Sequence, residues 1–474
     1  LVLPGQDKRN LDYLVDLRAK LIMTEVSDEL DQETSREAGV KAGVRVLLSA
    51  FAEQLELLER IRDQVHLLCC AGHYSYQVGH SIEFDFADVT DAAIDRLVST
   101  HRSMEGELST WNAVVNGARD AHYYLNFFTI QELWMLRSRT QTVLESRRES
   151  DKVGEQAKTN PKLKKKARRR VAAAAKAIAE WKSMIHLIVS SPQIADGAAR
   201  HLLAEGDDIK FVCQDIDPKA PGNTLKALGV MLDNILGSLP VQSRSLPAID
   251  RTVENASDMI VTIEQLDVPR GKDSSTSTAE EGTEPLWVAI ASDKEKPTMT
   301  LDMVLSVYVR RHRLPEPGEI LFCQPTTTLE ELELIIRRFL HAKSHNRADL
   351  LFSIVDVDKL PYTEQAKLGN LIVTYMKQYG TQNASGLLLL SALPDEYIVN
   401  RLSSYHVVAP PLNPHVLREM CQHAFRDDKA GVLRCVRSEI NGGGKSASIL
   451  AAAHASQQSA AAQGALVKYE RFGY

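Results

Sequence analysis

Between residues 44 and 70, apolar side chains fall at Val46, Leu47, Phe51, Leu55, Leu58, Ile61, Val65 and Leu68. That three-to-four spacing is the mark of a helix with one apolar face. The same period predicts helices over 91–103, 180–189 and 225–239. Another opens at the string Phe128-Thr129-Ile130-Gln131-Glu132-Leu133-Trp134, where Thr129 and Glu132 have the spacing of a capping box. The chain from residue 11 to about 266 therefore reads as helical scaffold.

Residues 267–285 break this pattern. Serine, threonine, glycine and acidic residues crowd together there, and the stretch reads as a flexible linker. Beyond it the apolar positions become short continuous runs at 286–291, 319–323, 350–356, 386–391 and 406–409. Helical patterns lie between them at 300–311, 329–342 (with the 326–328 threonines as N-cap), 363–379 and from 394. Continuous apolar strands alternating with helices predict a five-stranded parallel sheet covered on both faces. A short helix at 414–426 follows. The alternation then restarts with a strand at 432–436, a glycine-rich loop, a helix at 447–463 and a strand at 465–469. The fold class expected is α plus α/β: a helical domain over 1–266, the linker 267–285, a complete α/β module over 286–428, and the start of a second over 429–474.

Composition fits this picture. Of 474 residues, 44% are hydrophobic and 25% charged, the balance of a globular chain of two to four domains. A net charge of -6 gives no reason to expect DNA as a partner. No apolar run is long enough for a transmembrane segment. Six scattered cysteines without framework spacing favour a reducing, cytosolic compartment. The chain opens on Leu1 rather than Met, which suggests a fragment.

The sharpest chemical signal is Gly442-Gly443-Gly444-Lys445-Ser446, lying between a strand and a helix. Glycines let backbone N–H groups wrap a phosphate, the lysine reaches the outer phosphates, and the hydroxyl can ligand Mg²⁺. Glu439 occupies the first glycine position of the full GxxxxGK[ST] pattern, so the match is partial. The loop after the first strand, Ser292 to Thr298, has no glycine and carries Asp293 and Glu295, which would repel phosphate. Asp356 ends the third strand where a metal-positioning carboxylate would sit. Val357 stands where a catalytic Glu would follow, and Ser391 ends the fourth strand. Without a phosphate loop these read as an inert strand-end turn with solvated aspartates. His66, Cys69, Cys70 and His73 have the look of a zinc set. On one helix, however, the two histidines would be roughly 10 Å apart at ~1.5 Å rise per residue, too far for ligands about 2 Å from one ion. A buried helix face is the simpler reading. The basic run from Lys162 to Arg170 lacks interleaved aromatics for base stacking and reads as a solvated helix or insertion.

Three strings are familiar together: Tyr124-Leu-Asn-Phe-Phe-Thr-Ile-Gln-Glu-Leu, Thr300-Leu-Asp-Met-Val-Leu and Gly318-Glu-Ile-Leu-Phe-Cys-Gln-Pro-Thr-Thr-Thr-Leu-Glu-Glu-Leu. They resemble the mysterin family of giant AAA+ ATPases that are also E3 ubiquitin ligases. The resemblance implies that 1–266 is the arm and linker region and that 286–428 is a first AAA unit with a degenerate phosphate loop. It also implies that Gly442, Gly443, Gly444, Lys445 and Ser446 open a second unit that holds ATP, with Mg²⁺ through Ser446. Hydrolysis, a zinc-bearing ligase region and the ubiquitin-conjugating enzyme partner would belong to later parts of the same polypeptide, and the location implied is the cytoplasm and the lipid-droplet surface. No catalytic residue is expected in this stretch. The alternatives left open are a helical interaction scaffold with a nucleotide-free α/β domain and a truncated stand-alone P-loop NTPase.

Overall fold

The computed structural model describes residues 37–76, 90–159, 164–186, 192–204, 219–237, 285–291, 299–409 and 411–426, with a few single positions between them. The proposed linker, except Pro285, and everything from 427 onward, including the glycine-rich loop and the second module, lie outside the described residues.

The first half is helical: α1 Glu37–Cys70, α2 Asp91–Ala121, α3 Ile130–Thr159, α4 Lys164–Ile185, α5 Pro192–Ala204 and α6 Gly222–Gly237. α1 lies along α2, and α3 along α4. Several helices exceed the expected bounds. α2 runs on to Ala121, where sequence periodicity ended it at 103. Its apolar face dilutes over Gly106 and Gly117, yet Met104, Trp111, Val115 and Ala118 keep the buried stripe going. The predicted capping box is present: the Thr129 amide donates to Glu132 Oε2 at 2.8 Å, and the Glu132 amide donates to Thr129 Oγ1 at 3.3 Å. Between α2 and α3 sits a 3₁₀ turn, Tyr123–Phe127, in which every side chain is buried.

The second half runs β1 Leu286–Ile290, α7 Met299–Arg310, β2 Ile320–Phe322, α8 Leu329–His341, β3 Phe352–Val355, α9 Tyr362–Tyr379, β4 Leu387–Ser391, α10 Tyr397–Arg401 and α11 Pro414–Arg426. The strands form one parallel sheet in the order β1-β4-β3-β2. Alternate residues serve its two faces. Leu286, Val288, Leu387 and Leu389 join the core under α8 and α9, while Trp287, Ala289, Leu388 and Leu390 join the core under α7. α8 starts at the predicted threonine N-cap, where Thr328 also forms a capping box with Glu331.

Two expectations are corrected here. The fifth strand at 406–409 is only a bridge: Val288 pairs with His406, and the Val407 amide donates to the Val288 carbonyl at 2.8 Å. Pro410 and Pro411 follow in the sequence, and prolines without N–H cannot extend a ladder. Pro285 was placed in the linker, but its carbonyl accepts the Leu387 amide at 2.9 Å, so it belongs to the sheet.

Beneath β2, Glu319 is buried against Arg313 at 2.7 Å and also accepts the Glu316 and Leu351 amides. Burial pushes its carboxyl from the ordinary 4.5 up to about 7, against the pull of Arg313 and those amides. The folded pKa is raised, so the contribution of this group is complete below pH 4.5 and is lost as pH rises through 7. Unfolding free energy measured between pH 4.5 and 7 should therefore fall more steeply in the native protein than in Glu319→Gln.

Candidate functional site

The C-terminal ends of the parallel strands converge at one edge of the sheet, where ligands of open α/β folds bind. β1 ends there at Ile290. The loop 292–298 that would hold phosphate lies outside the described residues, and α7 begins at Met299. Thr300, in the first turn of α7, is buried. β3, buried along its whole length, delivers the chain to Asp356, whose φ of 61° and ψ of 42° are left-handed. Asp tolerates that conformation better than most residues.

The turn brings the Asp356 carboxylate to Thr300, whose Oγ1 donates to Oδ1 at 2.6 Å. The Lys359 ammonium holds the other oxygen, Oδ2, at 2.6 Å. Asp356 is only 7% exposed. The expectation of a solvated aspartate is therefore wrong: the carboxylate is in the position a metal carboxylate would take, but a hydroxyl and a lysine occupy its two oxygens. Val357, where a catalytic Glu would stand, is fully buried in the apolar core.

Asp358 is also committed. Its Oδ1 accepts the Ala392 amide at 2.7 Å and lies 3.4 Å from Ser391 Oγ. Ser391, fully buried at the end of β4, donates to the Leu393 carbonyl at 2.7 Å and accepts the Leu393 amide at 3.1 Å. Its hydroxyl closes a turn and is not free to read a phosphate. Cys323, just past β2, is buried and its thiol is pushed up to about 12, by burial first and then by Asp356 and Asp358. A buried thiol held protonated in this way is a poor nucleophile. Phosphoryl transfer needs a phosphate cradle, a metal-holding carboxylate and a group that orients the nucleophile. Among the described residues the carboxylate is neutralised and the orienting group is Val357.

Of the residues predicted at this edge, the structure joins Asp358 to Ser391, while Asp356 is bonded separately to Thr300 and Lys359. Sequence reasoning missed Lys359 and Thr300. The signal for Lys359 was its place three residues after Asp356. The glycine-rich residues Gly442 to Ser446 lie outside the described residues. The suspected zinc set is split. α1 ends at Cys70, and His73 lies beyond the turn at Gly72. His66 and Cys70 are exposed while His73 is buried, so the four do not share the buried face expected of them. No group of three metal-ligating side chains occurs among the described residues. In the basic run, residues 165–170 lie on α4 and are mostly exposed, as expected for a solvated helix, and Arg170 pairs with Glu149. No helix among the described residues is long and apolar enough to cross a membrane.

The functional residues that sequence reasoning did not find lie at the joint between the helical half and the α/β unit. Arg337 on α8 is 1% exposed. It reaches Glu333 at 2.7 Å on its own helix, Asp120 at 2.6 Å and Asn116 at 2.9 Å on α2, and the Tyr375 hydroxyl at 2.9 Å on α9. Burial works against its charge, but Glu333 and the tyrosines outweigh it and hold its pKa above the ordinary arginine range. Glu330 accepts both Arg119 at 2.5 Å and the Ile130 amide at 2.8 Å, so the start of α8 caps the start of α3. The strings 124–133 and 318–332, 185 residues apart at their nearest ends in sequence, meet here.

A family model for the RNF213 AAA domain matches residues 294–407, which takes in the chain from the loop before α7 to the bridge at His406. Over 325 residues the chain is 22% identical to a Mus musculus protein named E3 ubiquitin-protein ligase RNF213. That alignment covers 66% of this chain and 5% of the mouse protein, so the chain corresponds to a small part of that relative.

Proposed function

Residues 294–407 are an AAA unit of the mysterin, or RNF213, family, and from that premise we propose that this unit and the helical arm before it act as scaffold while nucleotide is held further along the chain. The unit would extend over 286–428 and the arm over 1–266. A second unit starting near 429 would hold ATP, with Gly442, Gly443 and Gly444 wrapping the phosphates, Lys445 on the outer phosphates and Ser446 toward Mg²⁺. Turnover of ATP, a zinc-bearing ligase region and the docking of a ubiquitin-conjugating enzyme belong to later parts of the parent polypeptide in this reading. A cytoplasmic setting goes with it.

The observation that carries the scaffold reading is the engagement of both Asp356 oxygens by Thr300 and Lys359. A divalent ion would have to displace a lysine charge from a buried carboxylate before it could bind there. Calorimetry with ATP·Mg²⁺ tests the proposal, on a protein long enough to complete the second sheet. Lys445→Ala should weaken binding at least about tenfold, because a charge-assisted contact worth ~1.5–3 kcal/mol is lost. Asp356→Asn should leave the number of bound nucleotides unchanged. Loss of one site in Asp356→Asn would refute the scaffold reading of the first unit. Unaltered affinity in Lys445→Ala would refute the assignment of the second.

A further inference from the structure

The zinc-like set read from the sequence is split, but half of it stays together. His66 and Cys70 are four residues apart at the end of α1, the spacing that makes two side chains neighbours on a helix. Both are exposed. The Cys70 sulfur lies 3.6 Å from His66 Nε2 and 4.0 Å from Nδ1. Each side chain has only the other as a partner among the described residues. Leu67, on the same stretch of helix, is 51% exposed, so the described residues leave this face open.

The distance and the donor types suit a metal ion. A tetrahedral ion with a thiolate sulfur at about 2.3 Å and an imidazole nitrogen at about 2.0 Å holds the two donor atoms about 3.5 Å apart. The sulfur faces the ring edge between the two nitrogens. A turn of the exposed ring about its Cβ–Cγ bond brings the Nε2 lone pair to the ion and breaks no hydrogen bond except the one to Cys70. The frame beneath is fixed. Trp111 and Trp134 donate to the Ala71 and Gly72 carbonyls at 2.8 Å, and Gln131 Nε2 donates to the Cys69 carbonyl at 3.1 Å. Cys70 is also the last residue of α1. The negative end of a helix favours a bound cation and opposes a free thiolate, so this pair is better suited to ligate than to act as a nucleophile.

We propose that His66 Nε2 and Cys70 Sγ form a two-ligand site for a divalent cation of the zinc class at the C-terminal end of α1. One thiolate and one imidazole select such an ion over Mg²⁺ or Ca²⁺, which take oxygen ligands. On binding, the Cys70 thiol gives its proton to solvent, and the ion exchanges two of its waters for sulfur and nitrogen. His73 takes no part: it is buried, and its Nδ1 accepts the Ser75 amide at 3.3 Å. The remaining positions of the ion stay with water, which makes it exchangeable.

Co²⁺ is the probe, because a cobalt–thiolate bond absorbs in the near ultraviolet. Titration of the full chain with Co²⁺ in excess Mg²⁺ should give a saturable thiolate band. Cys70→Ser should remove one equivalent of that absorption, and Cys69→Ser should leave it unchanged. His66→Gln should weaken the apparent affinity at least about tenfold, since even a change outside the ligand shell costs that much. A second reading uses reactivity in place of absorption. In Cys69→Ser protein, Zn²⁺ should slow alkylation of Cys70 by N-ethylmaleimide severalfold, read by peptide mapping, and Mg²⁺ should not. A band of full size in Cys70→Ser would place the ion on another thiol. Alkylation of Cys70 at the same rate with and without Zn²⁺ would show that no ion sits there. Either result overturns the proposal.

Discussion

Arg337→Ala is expected to destabilise the joint between the arm and the AAA unit by ~3 kcal/mol, the lower end of the range for removing one member of a buried ion pair. The lower end applies because one carboxylate partner, Asp120, is 37% exposed and water can solvate it when the arginine is gone. Glu333, at 19%, is less well served. The two tyrosines lose more than charge. The guanidinium lies 4.9 Å from the Tyr375 ring centre and 5.9 Å from that of Tyr379, so alanine also opens a gap between α8 and α9. Arg337→Lys keeps the charge but has one ammonium where the native side chain uses Nε, Nη1 and Nη2 on partners from three helices. It should recover less than half of the loss. Limited proteolysis gives the reading. Cleavage between arm and AAA unit should rise on the order of 100-fold in the alanine variant, the factor that ~3 kcal/mol implies in the docking equilibrium. Cleavage within β3 and β4 should change little, since none of the hydrogen bonds of Arg337 reaches either strand. A uniform rise at all sites would mean that the residue supports the AAA core and not the joint.

This residue also marks where sequence reading stops. The continuous apolar runs of β1, β3 and β4 predicted a sheet buried on both faces, and both faces are covered. The Thr-x-x-Glu spacing at 129–132 predicted a capping box and the threonines at 326–328 an N-cap, and both are formed, because a cap depends on neighbours three residues apart. A pattern of one chain segment cannot report what lies across an interface. Arg337 finds Asp120 and Asn116 more than two hundred positions away, and nothing in its own helix sets it apart from the exposed arginines of the chain. The bridge at His406 failed as a strand for the opposite reason. Its apolar run is correct, but the prolines after it limit the ladder to one pair. At the strand-end edge the sequence placed Asp356, Asp358 and Ser391 correctly and misjudged their state. Exposure depends on the turn's left-handed backbone and on Lys359 folding back, neither of which an apolar pattern encodes. The glycine-rich loop was legible as a motif, and its geometry lies outside the described residues.

The arm has its own decisive contact, and Trp111→Ala is expected to cost ~3–5 kcal/mol from the lost ring and the cavity it leaves. Trp111 is 2% exposed on α2. Its indole Nε1 donates to the Ala71 carbonyl at 2.8 Å, and Trp134 on α3 donates to the Gly72 carbonyl at 2.8 Å. The two rings stack with centroids 6.1 Å apart. α1 ends at Cys70, so these carbonyls belong to the turn that terminates it, and the tryptophans supply the donors that the helix end lacks. The turn can approach this closely only because residue 72 is glycine. Its φ is 62°, and a Cβ there would come within 2.2 Å of the Ile130 side chain. Three helices are thereby tied at one point, by two hydrogen bonds and a stacked pair. Trp111→Phe separates the two contributions. It keeps most of the buried ring and loses the N–H, so it should cost only ~1–2 kcal/mol, the price of an unpaired buried carbonyl. Denaturant unfolding followed by tryptophan fluorescence measures both variants. If Trp111→Phe proves as damaging as Trp111→Ala, the hydrogen bond to Ala71 and not the packing of the ring holds α1 to the arm.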